Sequence, residues 1–143
     1  MSIDLPDVNV LLALHFREHP QHAAALTWFG GARQVVTTAV TELGLIRLLL
    51  NPTVVLTKIS GGDALTALRQ FRALPKTLFW SDGASLAEPV VRVTQLQGPR
   101  QVTDLHLFNL AVSGGARFVT CDAKFAESLR AVERKHLHVL SSA

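Results

Sequence analysis

Short apolar or β-rich runs punctuate the chain at Ile3-Asp4-Leu5-Pro6, Gln34-Val35-Val36-Thr37, Thr77-Leu78-Phe79-Trp80, Arg117-Phe118-Val119-Thr120 and His138-Val139-Leu140. Between them lie longer stretches whose apolar residues recur at the three-to-four spacing of a helix. Strands that alternate with helices through short Gly-containing turns argue for a parallel sheet covered on both faces. The expectation is therefore an α/β domain with a central parallel sheet of four or five strands flanked by helices. At 143 residues and 48% hydrophobic, the chain suits a single domain, 1–143, with a sizeable core.

The helices follow from local punctuation. Val8, Leu11, Leu12 and Leu14 predict a helix from Val8 to about Phe16, broken at Glu18-His19-Pro20. A second runs from about Gln21 to Phe29 and ends at Gly30-Gly31, and a strongly apolar third opens at Thr38 and stops near Asn51-Pro52. From Lys58 the pattern is again helical, interrupted by Gly61-Gly62 and resumed with Asp63 as cap, up to Leu74. A helix is predicted over Ala84 to about Gln95 despite Pro89, then a turn at Gln97-Gly98-Pro99-Arg100. Thr103 or Asp104 opens a helix through Val112, closed by Gly114-Gly115, and Asp122 opens one to about Arg134.

Four acids stand out against this frame. Asp7 ends the first strand and precedes the first helix, and Asp122 does the same after Arg117–Thr120. Either is an ordinary N-cap, since Asp accepts hydrogen bonds from the free amides of a first turn. Either is also placed where open α/β sheets do chemistry, outside the carboxyl ends of their strands. Glu42 lies inside the third helix on the arc of Thr38, Ala39, Leu45, Ile46 and Leu49, and Arg47 is on the wrong face to pair with it. Asp104 shares an arc with Leu107, Phe108 and Ala111, while His106 and Asn109 point away. A salt bridge for each inward acid is the plain alternative, because an unpaired buried carboxylate costs several kcal/mol. Four carboxylates in one pocket repel and raise one another's pKa, so such a cluster implies a bound cation. Oxygen-only ligation favours Mg²⁺ or Mn²⁺, metals that work on phosphate esters.

Asp7-Val8-Asn9 with the apolar helix after it, Thr41-Glu42 in a helix after the second strand, Asp104 opening a late helix, and Thr120-Cys121-Asp122 with Phe125 beyond follow one another in an order that resembles the PIN-domain family. Within that family the resemblance is to VapC-type toxin ribonucleases. It implies a three-layer PIN-like fold and a metal-dependent endoribonuclease. Asp7, Glu42, Asp104 and Asp122 would hold Mg²⁺ or Mn²⁺ and position water, with Asn9 and Thr120 as polar supports. It also implies an RNA substrate of the translation machinery (tRNA, rRNA or mRNA), a cognate antitoxin and a homodimer. The region from Pro52 to Gln101 carries no family motif and is expected to hold what determines the substrate.

Composition narrows the alternatives. No run approaches a membrane span, and the N-terminus, with Asp4 and Asp7, is not a signal peptide, so a soluble, cytoplasmic protein without membrane contact is expected. A single cysteine, Cys121, forbids an internal disulfide and weakens a zinc cluster. A net charge of +3 permits a nucleic-acid partner without demanding one. His15, His19 and His22 lack a common helical face because Pro20 intervenes. Arg69, Arg72 and Lys76 make a basic strip suited to RNA phosphates if their helix persists past Pro75, and otherwise a solvated face. Trp28 and Trp80 are core residues rather than base-stacking platforms. A phospho-acceptor or aspartate-nucleophile phosphatase fold fails on the spacing of Asp4 and Asp7. A catalytically silent PIN-like RNA-binding or protein-interaction module is the remaining alternative.

Overall fold

The computed structural model describes residues 3–141, so the outermost two positions at each end of the expected 1–143 domain lie outside the described residues. Five parallel strands form one sheet in the order β3-β2-β1-β4-β5: β1 Ile3–Pro6, β2 Gln34–Thr38, β3 Thr77–Trp80, β4 Arg117–Thr120 and β5 Leu137–Val139. β1 is central. It pairs Asp4 with Val35 on one side and Pro6 with Val119 on the other.

Strand alternation sends neighbouring residues to opposite faces, and two cores result. Val35 and Val119 join Val10, Leu11, Leu45, Leu49 and Phe71 on the face covered by α1 (Val8–His15), α2 (His22–Gly31), α3 (Ala39–Leu49) and α5 (Gly61–Arg72), with the short α4 (Pro52–Val55) before it. Val36 and Phe118 join Leu5, Leu105, Phe108 and Phe125 on the face covered by α6 (Val102–Ser113) and α7 (Ala123–Ser128). There Phe108, Phe118 and Phe125 meet edge to face or tilted, with ring centroids 5.6 to 6.4 Å apart.

α2 does end at the glycine pair, with Gly30 and Gly31 as its last two residues and neither in a left-handed turn. Several other local expectations are corrected. α5 begins at Gly61, capped by Ser60, whose hydroxyl accepts from the Asp63 amide; Asp63 is a first-turn residue and not the cap. The helix expected over Ala84 to Gln95 does not form. Pro89 removes an amide donor there, and the irregular segment is instead stitched to its neighbours. Val90 N–H donates to Asn109 Oδ1 at 2.8 Å, and Arg92 N–H to Glu133 Oε2 at 2.9 Å. α7 stops at Ser128, well short of Arg134, and a single 3₁₀ turn at Arg134–His136 leads into β5. Gly114-Gly115 does close α6, with Gly115 at φ +75°.

His106 and Asn109 do not point away to solvent. They carry the segment after β3, Asn109 as above and His106 through a 2.8 Å contact from Nε2 to Asp82 Oδ1. The other Asp82 oxygen accepts the Val40 amide at 3.1 Å, supplementing the Thr38–Thr41 capping box at the start of α3. Asp4, 1% exposed, is the most deeply buried charge: Arg117 grips it with Nε at 3.1 Å and Nη2 at 3.0 Å, and the Trp28 indole donates to it at 2.8 Å.

Candidate active site

Asp7 stands where the central strand gives way to α1, and its backbone amide makes one more rung with Val119 O at 2.8 Å. Its carboxylate caps the helix through Val10 N–H at 2.8 Å and takes the Thr120 hydroxyl at 2.5 Å. Thr120 Oγ1 in turn accepts the Asp122 amide at 3.0 Å, so one buried hydroxyl ties the ends of β1 and β4 together. Asp122 caps α7 through Lys124 N–H and Phe125 N–H. Both junction acids are thus caps in fact, at the carboxyl ends of β1 and β4.

Asp104 comes from the opposite direction, in the first turn of α6. No hydrogen bond to its carboxylate is recorded among the described residues. Burial pushes its pKa up to about 7, and the charges of Asp7 and Asp122 add to the rise. Burial likewise raises Asp7 to about 6 against the hydrogen bonds from Thr120 and Val10, with a smaller push from Asp122. The same field reaches Cys121: burial first, then Asp7 and Asp122, lift its thiol to about 12, which removes it as a nucleophile. Three aspartates therefore sense one another, and among the described residues neither Asp7 nor Asp104 has a salt bridge.

A cleft of about 340 Å³ opens over Asp7 and Asp104. Its floor is Asp7, Val8 and Asn9; one wall is α3, through Val40, Gly44, Arg47 and Leu48; the other is Arg100, Thr103 and Asp104. Gly44 is required there, because a Cβ would meet the Val8 side chain at 2.6 and 2.9 Å. Asp122 is exposed and does not line the cleft, yet it is near enough to act on Asp7 electrically. A second hollow of about 330 Å³, between α2 and β5, is mostly apolar and contains no acid.

Glu42 is not brought to this cleft. Val40 and Gly44 face the cleft and Glu42 lies about 160° round the helix from either, toward α5. There Arg72 pairs with it at 2.7 Å and the Thr37 hydroxyl donates at 2.6 Å. The salt bridge that its own helix could not supply comes from the end of α5. This also dissolves the basic strip, since Arg72 is engaged and lies over the Phe79 ring. Lys76 sits past the end of α5 and donates to the carbonyls of Phe29 and Ala32 at the end of α2. Only Arg69 of the three is exposed without a recorded partner. The histidines stay apart: His15 and His22 bond backbone carbonyls of Leu11 and Ala13, and His19 accepts the Gln21 amide. Arg47, Arg100 and Gly44 are cleft residues that sequence reasoning missed; the signals were the shared arc of Val40, Gly44 and Arg47, and an arginine one turn before Asp104.

Among the described residues no three of His, Cys, Asp and Glu close into a ready-made metal cage. A hard divalent cation such as Mg²⁺ keeps several waters and needs only one or two carboxylates from the protein. Desolvated, uncompensated Asp7 and Asp104 fit such a cation.

The PIN domain family model matches residues 5–128. The chain is 36% identical over 130 residues to ribonuclease VapC39 of Mycobacterium tuberculosis, covering 89% of this chain and 94% of that protein. It is 39% identical over 121 residues to ribonuclease VapC38 of the same species, covering 83% and 84%, and 35% identical over 140 residues to ribonuclease VapC44, covering 95% and 98%.

Proposed function

The chain belongs to the PIN-domain family, and from that premise we propose that it is a metal-dependent endoribonuclease, the toxin of a type II toxin–antitoxin pair, acting as a single domain on an RNA of the translation machinery. The observation that carries the reading is the electrostatic one: Asp7 and Asp104 are desolvated, raised to about 6 and about 7, and without a salt bridge among the described residues, at the carboxyl end of the central strand. Asp7 and Asp104 hold Mg²⁺ or Mn²⁺, with Asp122 contributing charge from outside the cleft lining. A bound divalent ion supplies neutralisation of the acids and of the phosphate, and an acidified water. Thr120 fixes the rotamer of Asp7 and the height of Asp122, and Asn9 offers an amide at the cleft floor.

Water attacking phosphorus in this way does not need the ribose 2′-hydroxyl, so the products carry a 5′-phosphate and a free 3′-hydroxyl. The test is a labelled RNA incubated with purified protein in Mg²⁺ or Mn²⁺, with and without EDTA, followed by analysis of the ends. Cleavage that survives EDTA, persists in Asp7→Asn, or leaves 2′,3′-cyclic phosphate would overturn the reading. The placement of Glu42 outside the cleft is the one observation that favours a silent RNA- or protein-binding module. Calorimetry decides: the module gives no Mg²⁺ or Mn²⁺ heat that vanishes with Asp7→Asn.

A homodimer and a cognate antitoxin complete the proposal, on the strength of the family. Leu43 and Leu50 lie on the outer face of α3, 62% and 43% exposed, an apolar stripe that a second copy would cover. Among the described residues no helix is long and apolar enough to cross a membrane, which is compatible with action on cytoplasmic RNA.

A further inference from the structure

We propose that Arg47 and Arg100 are the phosphate clamp of this cleft, two guanidiniums on facing walls that grip the RNA backbone beside the acids. The inference rests on the nuclease reading above and deepens it by assigning the substrate's backbone contacts, which the sequence had placed on α5.

Arg47 lines the cleft from α3 and Arg100 lines it from the turn that leads into α6, on the wall that carries Asp104 and over the floor that carries Asp7. Both are exposed, and among the described residues neither has an ion pair or hydrogen bond. Exposed arginines without partners occur elsewhere, Arg69 and Arg134 among them, so exposure alone decides nothing. What separates this pair is its company. A guanidinium near a carboxylate ordinarily closes on it in a two-pronged bond, as Arg117 does on Asp4. Here two arginines share a cleft with two uncompensated carboxylates and leave them unpaired. Among the described residues neither guanidinium closes a salt bridge to an acid of this cleft of about 340 Å³. A water occupies roughly 30 Å³, so the space admits a hydrated ion together with a phosphodiester.

Charge balance gives the occupant. Two acids and a divalent ion are together close to neutral, so they do not by themselves attract a polyanion to the cleft. Two guanidiniums on its rim do, and their planar forks match phosphate oxygens. The α3 wall suits a strand lying across it. Val40 and Leu48 line it beside Arg47, and Val8 packs into the space that a side chain on Gly44 would need, so the one charge on that wall is the Arg47 guanidinium. Contacts of this kind read the backbone and not the bases, so they set affinity and salt dependence and leave sequence choice to other parts of the surface.

The experiment is steady-state cleavage of a single-stranded RNA in Mn²⁺ by wild type, Arg47→Gln, Arg100→Gln, the double variant, Arg47→Lys and Arg134→Gln. It is paired with fluorescence-anisotropy binding of the same RNA in Mg²⁺ across a salt series. Arg134 precedes β5, at the end of the sheet away from the cleft, and controls for loss of one charge. Each glutamine variant should raise KM and weaken binding about tenfold. kcat should fall by less than about threefold. The slope of log affinity against log salt should shrink by roughly 0.7 per arginine removed, the value for a phosphate contact to a single strand. Arg47→Lys should keep the slope and recover part of the affinity, since it retains the charge but not the fork. Wild-type slope and KM in both glutamine variants, or an equal change in Arg134→Gln, would overturn the clamp. Wild-type protein that binds RNA but does not cut it strikes the nuclease reading alone, and the binding series then decides for the arginines unaided.

Discussion

Asp104 is the residue at which charge, burial and function conflict most openly. A carboxyl whose folded pKa lies above its unfolded value holds more protons folded than unfolded between the two, so stability falls as pH rises through that window. With Asp104 raised to about 7 and Asp7 to about 6, from the ordinary aspartate value of 3.8, the metal-free protein should lose stability between about pH 4 and pH 7. The loss should be on the order of a few kcal/mol. Thermal melts in EDTA at pH 5 and pH 8 read this directly, and a higher melting temperature at pH 8 would refute it. Excess Mg²⁺ at pH 8 should restore stability, by about 2.7 kcal/mol at a hundred times its Kd. Asp104→Asn should abolish cleavage yet raise the metal-free melting temperature by several degrees, because it removes the repulsion and breaks no recorded hydrogen bond. Asp7, Asp104 and Asp122 were legible in the sequence because each sits at a strand or helix end, where position alone restricts direction. Glu42 misled because a helical wheel shows which residues share an arc and not what faces them; its partner, Arg72, comes from a helix 30 residues later.

At the level of elements, the packing of α1 on α3 rests on the absence of one carbon. Gly44→Ala would drive a methyl into Val8 and should cost about 1–3 kcal/mol, as overpacking does. Val8→Ala in the same protein should recover most of that loss, and a double-mutant cycle by urea unfolding measures the recovery. Additive losses would mean that the two helices do not meet there as closely as described. The strands and most helices were legible because their periods and punctuation are local. The segment after β3 was not, because its order comes from across the fold. Asn109 and Glu133 supply acceptors to the Val90 and Arg92 amides that no local pattern announces. Asn109→Ala, at a site 1% exposed, should leave the Val90 amide unsatisfied, with a cost of about 1–3 kcal/mol. Hydrogen exchange should show faster opening across that segment while β1 and β4 stay protected.

Over the whole molecule, the sheet order puts the first strand beside the fourth, and the bond from Thr120 to Asp7 spans 113 positions of sequence. Contacts of such separation are slow to form, because the chain must close a long loop before they return any stabilisation. Asp4→Ala should show how much of the fold depends on this closure. It strips the charge that Arg117 grips 113 positions away and should cost about 3–5 kcal/mol, read as a lower urea midpoint. Synthesis, too, runs from one end to the other: Asp7 leaves the ribosome 113 residues ahead of Thr120 and waits for all of them before Thr120 and Asp122 can reach it. On the nuclease reading proposed above, a growing chain stays inert until then, however much of its first half has folded. A ribonuclease built this way would be harmless to the ribosome that is making it until β4 has emerged.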